Sequence, residues 1–180
     1  HYSSRRQRQM CIRDRYADMA VPSRALHLWR YTPWARIHPS KVDEVPEANA
    51  VQFKVLEGGD LVEGAPRIID ANDIGRVFLS ELGGSAWTFE TNGSSDVVHL
   101  QAVASGHVAV GHLHLSLNHD VTVVLHLSGE SAWTGLHITG GVGANVRTGF
   151  GLVNELSPNG KFLHCEDWRI GRDASLELAG

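Results

Sequence analysis

Apolar and polar residues change their pattern along this chain near residue 85. From Ser85 onward, short runs rich in Val, Leu, Ile, Phe and Thr are separated by Gly, Asn, Asp and Ser. Such punctuation is typical of all-β proteins. The runs that predict strands read AWTFE, DVVHLQAVA, HVAVGHLHLSL, VTVVLHL, GLHIT, ANVRTGFGLV, KFLHC and ASLEL. We therefore predict a mainly β unit over residues 85–180.

Residues 16–84 predict a small N-terminal α/β segment. Val51–Leu56 has the composition of a short strand, and Gly58-Gly59 would end it. Asn72 or Asp73 is positioned to cap a short helix that Gly83-Gly84 would close. The apolar residues of that helix, spaced as on one helical face, are Ile74, Val77, Phe78 and Leu82. Four prolines discourage a long helix earlier in the segment, at Pro22, Pro33, Pro39 and Pro46.

A five-residue pattern recurs in the β unit: an apolar residue, Asn or Gly, any residue, Asp or Asn, and a small apolar residue. It occurs over 117–121, 142–146 and 170–174, with a weaker copy at Asp96-Val97. Its acidic or amide positions are 24, 25 and 28 residues apart, a spacing typical of solenoid coils: Asp96, Asp120, Asn145 and Asp173. We predict a parallel β-helix with these residues at its corners. An antiparallel sandwich is the alternative that stays open.

Composition predicts one cytoplasmic globular domain. The 180 residues carry a formal charge of −4, and no apolar run reaches the roughly 20 residues of a membrane span. The two cysteines, Cys11 and Cys165, are too few for a disulfide framework, which agrees with a reducing compartment. We expect no membrane partner.

The first 15 residues differ in charge from the rest. They hold five arginines and one aspartate, so they carry +4 and the remainder −8. The stretch SSRRQRQMCIRDR resembles a translated sequencing adapter, so we exclude residues 1–15 from the fold and expect no nucleic-acid partner. Because the chain starts with His1 and stops at Gly180 inside a patterned region, we expect a fragment that is truncated at its C-terminus.

Histidine is abundant, with 11 residues, most of them between His99 and His164. His112 and His114 would share one face of a strand, since side chains alternate. Their spacing from Gly106 resembles the opening of a cupin metal motif, although the glutamate of that motif is missing here. A cupin-like metal-binding β-barrel enzyme that uses His112 and His114 is the alternative function.

Two other polar groups carry candidate chemistry. His164-Cys165-Glu166-Asp167 contains four ligand types, but neighbours on a strand face opposite sides, so at most an alternating pair reaches one ion. A stacked line of Asp96, Asp120 and Asp173 would suit a β-helical protein that binds or cleaves carbohydrate. The turn pattern already accounts for these aspartates, and Gly140-Gly141-Val142-Gly143 lacks the lysine of a phosphate loop.

Several motifs resemble the SufB/SufD family of iron–sulfur cluster assembly proteins. Trp29-Arg30-Tyr31-Thr32 resembles a signature near the start of SufD-type proteins, although His27 and Leu28 stand where acidic residues are usual. Gly111-His112-Leu113, Val123-Val124-Leu125 and the corner Ile170-Gly171-Arg172-Asp173-Ala174 resemble the SufB/SufD core. The resemblance to this family extends over residues 28–180.

This resemblance implies a right-handed parallel β-helix and a scaffold function rather than an enzyme. It implies pairing with a SufB-like paralogue through the β-helix, and with a SufC-like ATPase through a C-terminal region that we expect to be absent here. The whole complex would handle a transient Fe–S cluster and use reduced flavin. No residue matches the cluster-assembly histidine motif of the family, so we predict no catalytic residue and no bound cofactor. His112, His114 and Cys165 are the residues that a metal would use if one bound.

Overall fold

The computed structural model describes residues 18–20, 22, 47–67 and 73–180. Within these residues, one helix, α1 (Ile74–Leu82), accompanies nine strands that belong to one sheet. The strands are β1 (Asn49–Ala50), β2 (Gln52–Val55), β3 (Gly59–Glu63), β4 (Ser85–Thr91), β5 (Val97–Leu117), β6 (Val121–Val142), β7 (Arg147–Leu156), β8 (Lys161–Ile170) and β9 (Ser175–Ala179). None of the helical structure in these residues is long and apolar enough to cross a membrane.

Strands β5 to β9 stack in parallel as the coils of a β-helix. Strand β5 pairs with β6 along its whole length, from Val97 beside Thr122 to Leu117 beside Val142. Strand β6 then pairs in parallel with β7 and β8, and β7 with β9. The prediction of a parallel β-helix is confirmed. The antiparallel sandwich is wrong, because each coil follows its neighbour in the same direction.

Each coil has two walls joined by a bend. The first wall contains 97–106, 121–129, β7 and β9, and the second contains 108–117, 133–142 and β8. The sequence predicted separate strands before and after each bend, whereas β5 and β6 run on through it. Gly106 and Gly129 have φ angles of 85° and 117°, a left-handed conformation that lets the backbone turn within each long strand.

Alternating side chains fill the space between the walls. Leu100 lies beside Leu125 in the first wall, and Leu113 beside Ile138 in the second, all of them at most 1% exposed. Because side chains on a strand alternate, one residue in two enters this core and the next one faces outward. The repeated apolar run of each coil is therefore what stacks the coils.

The corners between coils follow the predicted pattern in two cases of three. Asn145 and Asp173 have φ angles of 62° and 56°, a left-handed conformation that these residue types tolerate. Asp120 was predicted to be equivalent to Asn145, and this is wrong. Its corner is two residues shorter, because Val121 lies beside Thr148 and not beside Val146. Instead, the Asp120 carboxylate accepts a hydrogen bond from the backbone N–H of Arg147 on the next coil at 2.8 Å.

Helix α1 matches its prediction. The Asp73 carboxylate accepts from the backbone N–H of Arg76 at 3.0 Å, which satisfies one free donor of the first turn. Gly83 ends the helix with φ 76°. Asn72, the other candidate cap, lies outside the described residues. The apolar face of the helix packs on the outer side of the second wall, against Val108, Val110 and Leu163.

The short strands on either side of α1 join the same sheet. Strand β2 pairs antiparallel with the first wall of β5, from Gln52 beside Val103 to Val55 beside Leu100. Strand β4 lies parallel to the second wall of β5, and β3 pairs antiparallel with β4. The predicted strand over Val51–Leu56 is thus confirmed as β2, and it covers the side of β5 opposite β6.

Gly129→Ala should destabilise the fold strongly. A methyl group there would overlap the backbone carbonyl of Ala104, and the φ angle of 117° disfavours any L side chain. We expect a loss of about 2 kcal/mol or more in the free energy of unfolding, measured by urea denaturation. Gly141→Ala is the matched control on the same strand, since its methyl group would meet nothing within 4 Å. Equal losses in both variants would contradict the described bend.

Candidate functional site: a histidine and ion-pair cluster beneath the helix

Helix α1 covers a polar cluster as well as an apolar one. On the outer side of the second wall, His112 lies beside His137, and His137 beside Cys165. One step further along the same face, His114 lies beside Thr139 and Thr139 beside Asp167. The stacking of three coils therefore places three histidines, a cysteine and an aspartate side by side. Arg76 of the helix lies on top of this group.

Arg76 joins the helix to the wall through two oxygens of one carboxylate. Its Nε donates to Oδ2 of Asp167 at 2.6 Å, and its Nη2 donates to Oδ1 at 2.7 Å. Nη2 also donates to the backbone carbonyl of Glu166 at 3.2 Å, and Nη1 lies 3.0 Å from the carboxylate of Asp73. Hydrogen bonding to Asp167 is the main reason that the pKa of Arg76 is raised. This forked geometry is the one that arginine forms best with a carboxylate.

Asp167 also accepts from His137, whose Nε2 lies 3.0 Å from Oδ2. Burial alone would raise the pKa of Asp167, but hydrogen bonds from Arg76 and His137 outweigh it and lower that pKa. Burial lowers the pKa of His137 in spite of its bond to Asp167. The pair is therefore a neutral imidazole that donates to a charged carboxylate, with Arg76 as the counter-ion. The other ring nitrogen of His137, Nδ1, is buried and has no hydrogen-bond partner.

His112 and His114 are held by different partners. His112 is 4% exposed, and its Nε2 lies 3.1 Å from the carbonyl oxygen of Gly83 at the end of α1. Nδ1 of His114 lies 2.8 Å from the hydroxyl of Thr139. Burial is the main cause that lowers the pKa of each histidine to about 4. The nearby His137 lowers the pKa of His112 further, and Arg67 lowers that of His114. Both side chains are thus neutral at physiological pH.

A cavity of about 10 Å³ lies between these histidines, Thr139 and Arg67. That volume admits about one water molecule and no larger ligand. The cluster therefore has no room for a substrate in this conformation.

The cluster contains the components of a Cys–His–Asp triad in Cys165, His137 and Asp167. A triad needs a thiolate or a thiol that the imidazole can deprotonate, and a path for substrate. Cys165 is 6% exposed, packs among the apolar residues beneath α1, and has its pKa raised to about 12 by burial. The arrangement suits a structural clamp between helix and wall, and the thiol is an inert part of the packing.

The residues predicted as metal ligands do not converge on one point. His112 and His114 share the outer face of the second wall, as predicted, but they bind separate partners. The parallel coils also differ from the antiparallel barrel that a cupin-like enzyme requires. Across residues 47–67 and 73–180, no group of three or more His, Cys, Asp and Glu is arranged to hold a metal ion.

The run His164-Cys165-Glu166-Asp167 divides between the two faces, as its alternation predicts. Cys165 and Asp167 face α1, whereas His164 and Glu166 face the other way and lie 3.2 Å apart. Glu166 also accepts from the indole N–H of Trp168 at 2.9 Å. These four residues therefore form two small polar groups instead of one site.

The predicted line of three aspartates is not formed. Asp96 and Asp120 line an open groove of about 350 Å³ together with Arg147 and Glu177. Asp173 belongs to the corner after β8, where its carboxylate lies 3.3 Å from the exposed guanidinium of Arg172. The carbohydrate interpretation therefore loses one of its three residues.

The family-signature residues fall in two places. Trp29, Arg30, Tyr31 and Thr32 lie outside the described residues. Gly171, Arg172 and Asp173 form the corner between β8 and β9, stacked on the corner that precedes it. A methyl group on Gly171 would lie 2.7 Å from the backbone nitrogen of Ala144, so this position requires glycine.

Arg76, Asp73, His137 and Asp167 were not predicted as a group. One signal in the sequence could have found part of it. His112 and His137 are 25 residues apart, which equals the coil step between β5 and β6. Residues separated by one coil stack on the same face, so the period predicts their contact. The position of Arg76 depends on how α1 docks, which no spacing reveals.

The described residues thus form a parallel β-solenoid, and a partly buried ion pair holds α1 on the second wall. No protein-family model, no curated protein and no solved structure matches the chain.

Removal of Arg76 should release the helix. Arg76→Leu leaves the half-buried Asp167 without its counter-ion, so we expect a loss of about 3 kcal/mol in the free energy of unfolding. The double variant Arg76→Leu with Asp167→Leu should recover much of that loss, because it removes both charges. Urea denaturation of the single and double variants measures this coupling.

The matched control is Arg172→Leu, whose ion pair with Asp173 is largely exposed, at 84% and 71% of the two side chains. Exposed pairs contribute little to stability, so this variant should unfold like the parent. An Arg76→Leu variant as stable as the control would contradict the clamp.

Acid should destabilise the protein partly through His112. Its pKa is about 4 in the folded chain and about 6.5 when unfolded, so between these values the unfolded state binds the extra proton. Stability from this group is complete above pH 6.5 and is lost as the pH falls toward 4, by up to about 1.4 kcal/mol per pH unit. His112→Gln should flatten the decline in unfolding free energy across that range. His119→Gln, on an exposed corner residue, should leave the decline unchanged.

Proposed function

We propose that this chain is part of a scaffold subunit of the SUF iron–sulfur cluster assembly complex, of the SufD type. In that function it pairs with a SufB-like paralogue through the β-helix and is coupled to a SufC-like ATPase. The observation that carries the proposal is the corner Ile170-Gly171-Arg172-Asp173-Ala174, whose sequence resembles the SufB/SufD core and whose structure is a coil corner.

The geometry of that corner gives a physical reason for two of its residues, Gly171 and Asp173. Gly171 approaches the backbone of the preceding corner too closely for a side chain, and its N–H donates to the carbonyl of Val142 at 2.9 Å. Asp173 adopts a left-handed conformation. A sequence that keeps Gly and Asp at these two places is adapted to stacked coils, which supports a relation to a β-helical scaffold family.

The two walls differ in what covers them. The second wall lies under α1, but the first wall exposes several large apolar side chains on its outer face, each at least 39% exposed. We call this surface the valine face; its members are Val97, Val103 and Val153, with Leu56 beside it at the end of β2. These side chains lie among polar residues of the same face, such as Gln101 and His126, and such a mixed, exposed surface supports a binding function with a protein partner.

The interior supports a scaffold in a second way. The space between the walls is packed, with Trp168 of the last second-wall strand seated so tightly on Gly140 that a methyl group there would overlap the ring. The buried polar cluster is used to fix α1. A packed interior and a fixed helix favour a rigid body, which is what a scaffold needs if partners are to assemble on it.

Co-expression tests this proposal. The full-length protein should co-purify with SufB and SufC, and the valine face should contribute to that association. Val103→Glu with Val153→Glu should reduce recovery of SufB at least about tenfold, because two charges would be buried against the partner. The control Val62→Glu changes an exposed valine on β3, outside the valine face, and should leave recovery unchanged. A full-length protein that purifies alone, with neither partner, would refute the proposed function.

A further inference from the structure

Two histidines meet on the outer face of the first wall, away from the cluster beneath α1. Nδ1 of His99 on β5 lies 3.0 Å from Nε2 of His126 on β6. The two rings are stacked, with centroids 5.3 Å apart and planes inclined by 29°. Both side chains are half-buried. The pair is formed by the coil stack, because the two residues belong to neighbouring coils.

The register explains why these rings converge. His99 lies beside Val124 and His126 beside Gln101, so the two histidines occupy a diagonal across β5 and β6. Diagonal neighbours on one face of a sheet are within reach when the side chains are long or aromatic. The backbone of each residue is held by the β5–β6 ladder, which fixes the origin of both imidazoles.

The distance between the two nitrogens is that of a metal chelate. A first-row divalent ion binds imidazole nitrogen at about 2.0–2.1 Å, so two nitrogens on one ion lie about 3 Å apart at a right angle. In the free protein, the same two nitrogens share one proton in a hydrogen bond. A metal ion would replace that proton, and the second side-chain torsion of histidine is broad, so the rings can turn toward an ion.

We infer that His99 and His126 form a two-histidine site for a divalent first-row transition metal, with water at the remaining positions. The order of affinities should be Cu²⁺ above Ni²⁺ and Zn²⁺, because two imidazoles and water impose no special geometry. Glu155 occupies the next position of the same diagonal on β7, and its charge favours a cation there. This inference does not depend on the proposed scaffold function.

Titration of the whole chain with Cu²⁺, and separately with Zn²⁺, tests the site. Because the chain has 11 histidines, the informative quantity is the difference between variants in ions bound and in affinity, measured by calorimetry. His99→Ala and His126→Ala should each remove one bound Cu²⁺ or weaken its binding at least about tenfold, because the loss of even an outer partner of a ligand costs roughly 10–100-fold. His107→Ala and His119→Ala, at two exposed histidines, are the controls and should bind as the parent does.

A spectroscopic reading separates this site from other histidines. Electron paramagnetic resonance of the parent with one equivalent of Cu²⁺ should show two equatorial imidazole nitrogens, reduced to one in either variant. Gln at 99 or 126 replaces Ala if an alanine variant unfolds, as judged by circular dichroism. Unchanged stoichiometry and affinity in both variants, an equal loss in the controls, or no Cu²⁺ binding by the parent would each overturn the inference.

Discussion

The continuous parallel pairing of β5 with β6 is the constraint on which the rest of the structure depends. It holds the two coils in a fixed register over both walls, from Val97 beside Thr122 to Leu117 beside Val142. That register places leucine on leucine inside and histidine near histidine outside. A single coil cannot bury its apolar face, so neighbouring coils stabilise one another and the core exists only as a stack. A shift by one residue would turn every buried side chain outward.

The position of helix α1 depends on that stack, because the carboxylate that pairs with Arg76 belongs to the coil after β6. Arg76 reaches Asp167 on β8, and Asp167 is oriented by His137 on β6. Partly buried charges are costly unless they are paired and hydrogen-bonded, and here each charged oxygen of Asp167 receives a donor. The same layer keeps His112 neutral and Cys165 an inert thiol. The contacts of Arg76, His112, His137, Cys165 and Asp167 therefore serve to hold α1 on the second wall.

The sequence predicted the coils because both their signals are local. Alternating apolar residues set the strands, and glycine with Asn or Asp marks the corners at Asn145 and Asp173. It misplaced Asp120, since a corner shorter by two residues changes the register without changing the pattern. It missed Arg76 with Asp167, because those residues are 91 positions apart and meet only when the helix docks. Histidine contacts such as His112 with His137 could be predicted only once the coil step was applied to side chains.

Paired cysteines measure the register of β5 against β6 most directly, in a background with Cys11→Ser and Cys165→Ala. Parallel stacking places Val103 beside Ser128, at a separation that a disulfide can bridge. A hairpin folded about the corner at residues 118–120 would instead place residue 103 opposite residue 135. The structure predicts that Val103→Cys with Ser128→Cys forms a disulfide on mild oxidation, and that Val103→Cys with Gly135→Cys does not. A disulfide in the second pair and none in the first would contradict the parallel β-helix.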